Sequence, residues 1–160
     1  MKDQNVEETL ILIKPDAIKK SLTGNIISKL SSLGYIIIGA KVVRVSRELA
    51  EEHYAELKDK PFFSELIKYI QGELHGTSRI FALVYQGPNA ISKVRELTGS
   101  TNPEDANPNS IRGSYGRINQ KGIIENVVHA SANKSDAVRE IKLWFREDEV
   151  LWDAYEKELS

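Results

Sequence analysis

Apolar residues recur along the chain in two periods, and the switching between those periods lays out its elements. Thr9 to Lys14 is a near-continuous apolar run stopped by Pro15, which reads as a central strand covered on both faces and ending at Lys14. The period then changes: Ile26, Ile27, Leu30 and Leu33 share one helical face, closed by Gly34. Tyr35 to Val45 returns to strand spacing, its latter half alternating as a half-exposed edge does. Ser46 caps a helix from about Arg47 to Leu57 that carries Tyr54. Asp59-Lys60-Pro61 breaks that helix, and helical spacing resumes from Phe62 to Ile70, a short helix that includes Leu66. Gln71 to Ser78 holds two glycines and His75 and reads as a solvated loop with no binding role for that histidine. Arg79 to Tyr85 is a third strand. Pro88 to Gly99 is a helix with Ile91, Val94 and Leu97 on one face and Arg95 off it.

From Ser100 to about Ile124 the patterning stops, and the chain becomes polar and rich in Pro, Asn, Ser and Gly; irregular stretches of this length inside a domain are usually functional or disordered. A fourth strand then carries His129 and turns through small polar residues into a last long helix with Ala137, Val138, Ile141, Trp144 and Phe145 on its apolar side. The tail from Arg146 to Ser160 is charged but holds Trp152 and Tyr155, aromatics that predict docking on a neighbouring surface such as another subunit.

Strands and helices in the order β-α-β-α-α-β-α-β-α predict an α+β fold, an α/β sandwich of the ferredoxin-like type with a four-stranded antiparallel sheet and helices packed on one face. A doubly wound parallel sheet is the other arrangement with this order. It usually announces its ligand site by glycines after the first strand, where this chain has Lys14-Pro15-Asp16.

With 160 residues, 41% of them apolar, the chain is expected to form a single domain over residues 1–160. Its formal charge of −1 attracts neither nucleic acid nor anionic lipid in bulk, so no nucleic-acid or membrane partner is expected, and a basic site has to be assembled by folding. The absence of cysteine excludes disulfide and thiolate chemistry. His53, His75 and His129 lie far apart without the spacings of a structural zinc site, so a metal is expected to arrive with substrate. The apolar run near the N-terminus is too short to span a membrane and lacks a cleavage-like site, which favours a cytoplasmic location.

The candidate chemistry centres on His129 at a strand end, where side chains are exposed but rigidly held. On a helical wheel Glu140 falls beside Ala137 and Trp144, facing back toward that strand. A carboxylate there fixes the imidazole tautomer and leaves the opposite ring nitrogen free to attack. No GxxxxGK[ST] or GxGxxG glycine loop occurs, so phosphate has to be held by side chains. Lys14, Arg95, Arg112 and the hydroxyl of Thr101 come from separate elements and are all phosphate-grade donors. A poised imidazole with such donors fits phosphoryl transfer, in which positioning and charge neutralisation supply nearly all the catalysis. Serine hydrolase chemistry fits less well, because no GxSxG elbow is present.

These residues also form an ordered set. Ile13-Lys14-Pro15-Asp16, His53-Tyr54 followed by Lys60-Pro61-Phe62-Phe63, Gly99-Ser100-Thr101-Asn102-Pro103, Ile111-Arg112-Gly113, Asn126 to Ser131, and Glu140-Ile141 with Leu143-Trp144-Phe145 together resemble the nucleoside diphosphate kinase family from Thr9 to Trp152. The resemblance implies ping-pong transfer: His129 takes the γ-phosphoryl group of a Mg2+-bound nucleoside triphosphate such as ATP or GTP, then gives it to ADP or another diphosphate. It implies that Lys14 and Arg112 stabilise the moving group, that Tyr54 helps hold Lys14 and the imidazole, and that Arg95 and Thr101 hold the inner phosphates. It places Asn126 and Lys14 on the ribose hydroxyls, Phe62 on the base with Leu66 beside it, and Ser131 in support of Glu140. It also implies a homo-oligomer, tetramer or hexamer.

The chain departs from the family pattern at Ala130 and Ala132, where Gly and Asp are usual, which removes any indirect magnesium contact through that Asp. Lys60 stands for a usual arginine, Asn109-Ser110 for Gly-Thr, and extra residues appear around Glu73 to Thr77 and between Gly113 and Asn126. A catalytically silent nucleotide-binding or scaffolding protein of the same fold is the alternative those substitutions motivate. RNA binding on an open sheet is a third reading, opposed by the lack of aromatic RNP signatures and by the near-zero charge.

Overall fold

The computed structural model describes residues 5–159. Strand β1 (Val6–Ile13) is followed by a one-turn helix α1 (Pro15–Lys19), then α2 (Thr23–Ser31), β2 (Ile36–Val43), α3 (Arg47–His53) and α4 (Phe63–Gln71). The chain continues through β3 (Ile80–Pro88), α5 (Ala90–Thr98) and α6 (Ile111–Tyr115). A short hairpin of β4 (Arg117–Ile118) and β5 (Ile124–Glu125) precedes β6 (Val128–Ala130), α7 (Lys134–Trp144) and α8 (Ala154–Leu159).

The main sheet has the order β2-β3-β1-β6, and every pairing in it is antiparallel. Strand β1 is therefore central, which is why its run of apolar residues is unbroken: Leu10, Ile11, Leu12 and Ile13 are all inaccessible to solvent. Alternate residues serve different cores. Leu10 and Leu12 pack with Ile67, Ile70, Ile141 and Trp144, whereas Ile11 and Ile13 pack with Ile26, Leu30, Val94 and Ile111. Helices thus cover both faces of the sheet, not one as the pattern alone predicts, because both alternating faces of β1 and β3 are apolar.

The stretch from Ser100 to Ile124 is also more regular than its composition suggests. It folds into a 3-10 turn at Pro103–Asp105, helix α6 and the β4–β5 hairpin. Ser110 caps α6 by accepting from the Gly113 backbone N–H. A side chain at Gly113 would put its Cβ 2.0 Å from the Asn107 carbonyl, so only glycine lets the two backbones meet there. The helix expected through Leu57 ends at His53 and continues as a 3-10 turn over Ala55–Leu57. The tail docks on its own chain: Val150 and Ala154 join the core, and the Trp152 carbonyl accepts from Gln86 Nε2. Among the described residues no helix is long and apolar enough to cross a membrane.

Candidate active site

Adjacent antiparallel strands bring the ends of β1 and β6 together, with Leu12 opposite His129 and Ile13 opposite Val128. Lys14 therefore leaves β1 where Asn126 and Val127 enter β6. Its backbone N–H donates to the Val127 carbonyl at 2.8 Å and its ammonium donates to Asn126 Oδ1 at 2.8 Å. Asn126 Nδ2 in turn donates to the Thr101 carbonyl at 3.1 Å, which ties the irregular loop to the sheet.

Between Asn126 and His129 the backbone is strained. Val127 has φ +61°, a left-handed conformation that β-branched residues rarely adopt. It is held there by its carbonyl bond from Lys14 and by Asp16, whose Oδ2 accepts the Val127 N–H at 3.1 Å. Strain of this kind costs about 1–3 kcal/mol and persists only where surrounding contacts over-determine it. Asp16 is fully buried, and its other oxygen accepts from the Tyr69 hydroxyl at 2.6 Å.

His129 Nε2 is paired with Glu140 Oε2 in a short contact. An ionised carboxylate only accepts, so the imidazole proton sits on Nε2 and the lone pair on Nδ1. Among the described residues Nδ1 has no hydrogen-bond partner, and 20% of the His129 side chain is open to solvent. Burial, together with the charges of Lys14, Arg112 and Arg95, holds the His129 pKa well below its ordinary value and keeps the ring neutral at pH 7. Burial raises the Glu140 pKa, against the pull of His53, of the Ser131 hydroxyl and of nearby arginines. Ser131 is itself fixed on β1, where its Oγ accepts from the Leu10 N–H at 3.1 Å.

The cationic side is formed by Lys14 and Arg112, both buried. Arg112 is clamped by donation to the Val128 carbonyl at 2.9 Å and to the Gly99 carbonyl at 3.1 Å, while its buried Nε has no partner among the described residues. Burial is the main reason its pKa falls to about 10, with repulsion from Arg95 next. Burial lowers the Lys14 pKa to about 7, and Arg112 pushes the same way against the weaker pull of Asp16. Two desolvated basic groups beside a neutral nucleophile make a site that gains most when anionic oxygens enter it.

The other expected residues fall as follows. Arg95 and Thr101 are exposed at the end of α5 and in the loop beyond it. Phe62 sits at the start of α4 with 51% of its surface exposed, and Leu66 is half-buried one turn on. Among the described residues the Tyr54 hydroxyl is buried without a partner and bonds neither Lys14 nor the imidazole, and Asn126 holds Lys14.

His53 has a larger place than its sequence position suggests. Two histidines far apart in sequence meet in the fold: the His53 and His129 rings pack edge to face with centroids 4.5 Å apart. Trp144 Nε1 donates to His53 Nδ1 at 3.1 Å, and burial pushes the His53 pKa down to about 2, so it packs against the nucleophile as a neutral wall. A helix end on α3 and a tryptophan on α7 carry no periodic signal of this meeting. The loop expected to be solvated at His75 also differs, since His75 bonds the buried carboxylate of Glu125 at 2.8 Å.

Comparison with known proteins decides what this geometry belongs to. Residues 7–150 match the family described as Nucleoside diphosphate kinase. The chain belongs to the nucleoside diphosphate kinase family. It is 42% identical over 155 residues to the nucleoside diphosphate kinase of Brevibacillus brevis, covering 97% of this chain and 98% of that one. The enzyme of Pyrococcus abyssi is 44% identical over 150 residues, covering 94% and 91%. Among solved structures, the Borrelia burgdorferi nucleoside-diphosphate kinase, a transition-state mimic with bound vanadate and ADP, aligns with a TM-score of 0.82 at 35% identity, covering 94% of this chain and 96% of that one. The Halobacterium salinarum enzyme in complex with CDP aligns with a TM-score of 0.81 at 39% identity, covering 94% and 97%. The activity of the family is phosphoryl transfer between nucleotides through a histidine.

Proposed function

We infer that this chain transfers the γ-phosphoryl group of a nucleoside triphosphate to a nucleoside diphosphate through a phosphohistidine on Nδ1 of His129. The observation that carries this reading is the pairing of Nε2 with Glu140, which leaves the Nδ1 lone pair free on a ring that feels the charges of Lys14, Arg112 and Arg95. In the first half-reaction Nδ1 forms a bond to the γ-phosphorus as the bond from phosphorus to the bridging oxygen breaks. The diphosphate leaves with that oxygen. The second half-reaction runs the same path backward onto a new diphosphate, so each hard step is split into two easier ones.

As phosphorus bonds to Nδ1, the ring gains positive character that the Glu140 carboxylate offsets through the Nε2 proton. Lys14 and Arg112 meet the equatorial oxygens of the moving group, and Tyr54, edge-on to His53, helps hold the side chains around them. Arg95 and Thr101 hold the inner phosphates, Asn126 and Lys14 the ribose hydroxyls, and Phe62 with Leu66 the base. A half-exposed ring can stack on any base, which suits a site that does not discriminate among them.

Mg2+ belongs to the substrate in this reading. The only group of metal-ligating side chains among the described residues is His53, His129 and Glu140, and its atoms already bond to one another and to Trp144. Lys14, Arg112 and Arg95 put their charges on the nucleophile's surroundings, so the ion is carried on the nucleotide phosphates, whose charge it neutralises. Residues 1–160 work as one catalytic unit, in the cytoplasm, within a homo-oligomer of four or six chains.

Incubation with ATP and Mg2+ followed by intact-mass measurement tests the reading. The wild-type chain should gain one phosphate and lose it on addition of a diphosphate, and His129→Ala should gain none. A wild-type chain that binds nucleotide yet forms no adduct would instead be a silent nucleotide-binding protein.

A further inference from the structure

Asn126 is flanked by two residues that are each pinned by a buried carboxylate. On one side is Val127, held by Asp16. On the other is Glu125, the last residue of β5, which is only 2% exposed. Its oxygens accept from Arg117 Nε at 2.6 Å and from His75 Nε2 at 2.8 Å, and Lys20 Nζ lies at 3.6 Å. Burial pushes the Glu125 pKa up, but the hydrogen bonds from Arg117 and His75 and the charge of Lys20 outweigh it, so the carboxylate is ionised.

The three holders come from three places: the end of α1, the loop after α4, and β4. The last two lie at or beside the extra residues near Glu73 to Thr77 and between Gly113 and Asn126. Glu125 therefore joins the two insertions to each other, and both to the first helix. The network continues inward. His75 packs edge-on against Tyr69 with centroids 5.3 Å apart, the Tyr69 hydroxyl donates to Asp16, and Lys14 Nζ lies 5.1 Å from the centre of the Tyr69 ring.

A buried ion cluster is by itself weak evidence for stability, since desolvation offsets much of its attraction. Its use here follows from what it adjoins. One peptide unit separates Glu125 from Asn126, whose side chain fixes Lys14 through Oδ1 and the Thr101 loop through Nδ2. Releasing Glu125 frees the backbone on that side of Asn126 while Val127 remains strained on the other.

We propose that Glu125 is a positioning residue for recognition of the nucleotide sugar, with His75, Arg117 and Lys20 as its holders, so that the two inserted segments serve the active site without touching substrate. The proposal rests on the reading that Asn126 and Lys14 meet the ribose hydroxyls. The two partners differ in how much structure they carry: the Arg117 side chain is 59% exposed, whereas that of Glu125 is 3% exposed.

The test compares kcat/KM for a nucleoside diphosphate acceptor with that for its 2′,3′-dideoxy counterpart, in wild-type protein, Glu125→Ala and Arg117→Ala. The wild-type chain should prefer the full ribose. Glu125→Ala should lose roughly tenfold on the ribose nucleotide, within the range that ångström-scale misplacement produces. The dideoxy rate, which still depends on Lys14 as Asn126 holds it, should fall by a clearly smaller factor, so the ratio between the two falls. Arg117→Ala should shift the ratio the same way by a smaller factor, and it carries the test if Glu125→Ala does not fold. An unchanged ratio in both folded variants, or an equal loss on both nucleotides, would overturn the proposal and leave the cluster structural. Wild-type protein that transfers phosphate without sugar preference would overturn it too, while wild-type protein that transfers none would sink the kinase reading itself.

Discussion

Raising the pH across the titration of Lys14 perturbs one charge in this site and leaves the others alone. Lys14 titrates at about 7 because burial and Arg112 disfavour its charged form. At pH 8 only ~10% of the free protein therefore carries that proton. A bound polyphosphate supplies opposite charge within reach and returns the pKa toward the ordinary lysine value, so the bound state is protonated. Binding at pH 8, where the diphosphate is already fully ionised, should then take up ~0.9 proton per site. The neighbours do not contribute: His129 is held neutral, His53 titrates near 2 and Arg112 near 10. Between pH 7 and 9 the affinity for ADP should fall by up to about tenfold per pH unit. Calorimetric titration with ADP at pH 8, in two buffers of different ionisation enthalpy, measures the uptake directly. Lys14→Arg, which stays charged throughout, should abolish it. An uptake below ~0.2 proton at pH 8 would refute the argument, because it would mean that Lys14 is either charged before nucleotide arrives or remote from the phosphates.

Other perturbations separate the remaining roles. Phe62→Ala should weaken binding of ADP, GDP and CDP alike by ~1–3 kcal/mol, the size of a lost base stack. Because the ring is half-exposed, urea unfolding should show far less than the ~3–5 kcal/mol lost with a buried phenylalanine, and unchanged affinity would remove it from the site. Glu140→Gln should slow phosphorylation of His129 by roughly 10²–10⁴-fold with nucleotide affinity nearly intact, since the neutral amide no longer fixes the tautomer or offsets the developing charge. Rapid-quench measurement of the first half-reaction checks it, and a loss confined to binding would contradict it. Arg112→Ala should lower the transfer rate by about 10²–10³-fold, more than it weakens ground-state binding; a pure binding defect would assign Arg112 to the resting phosphates.

The chain's own pattern determined more here than the shape of the sheet. An unbroken apolar run ending in Lys14-Pro15 marks a central strand whatever it packs against, because only a strand covered on both faces can leave every position apolar. The pairing of His129 with Glu140 was also legible, since a helix opening just after a strand directs its apolar edge, and the carboxylate on it, back toward that strand. What tertiary structure alone decided concerns contacts without any period. His53 meets His129 because α3 packs on the face of the sheet that holds Leu10, Leu12 and, opposite Leu12 on β6, His129, a meeting between residues 76 positions apart. Asp16 and Glu125 are buried acids whose partners, Tyr69, Val127, His75, Arg117 and Lys20, come from separate elements. The region from Ser100 to Ile124 looked irregular because α6 and the hairpin are too short to show a period. Their regularity comes from a serine cap, a glycine that admits a backbone and one buried carboxylate. Periodicity records which face of an element is buried. It carries no record of which partner an isolated polar side chain finds, and that partner is what places Asn126 and Lys14 beside the nucleophile.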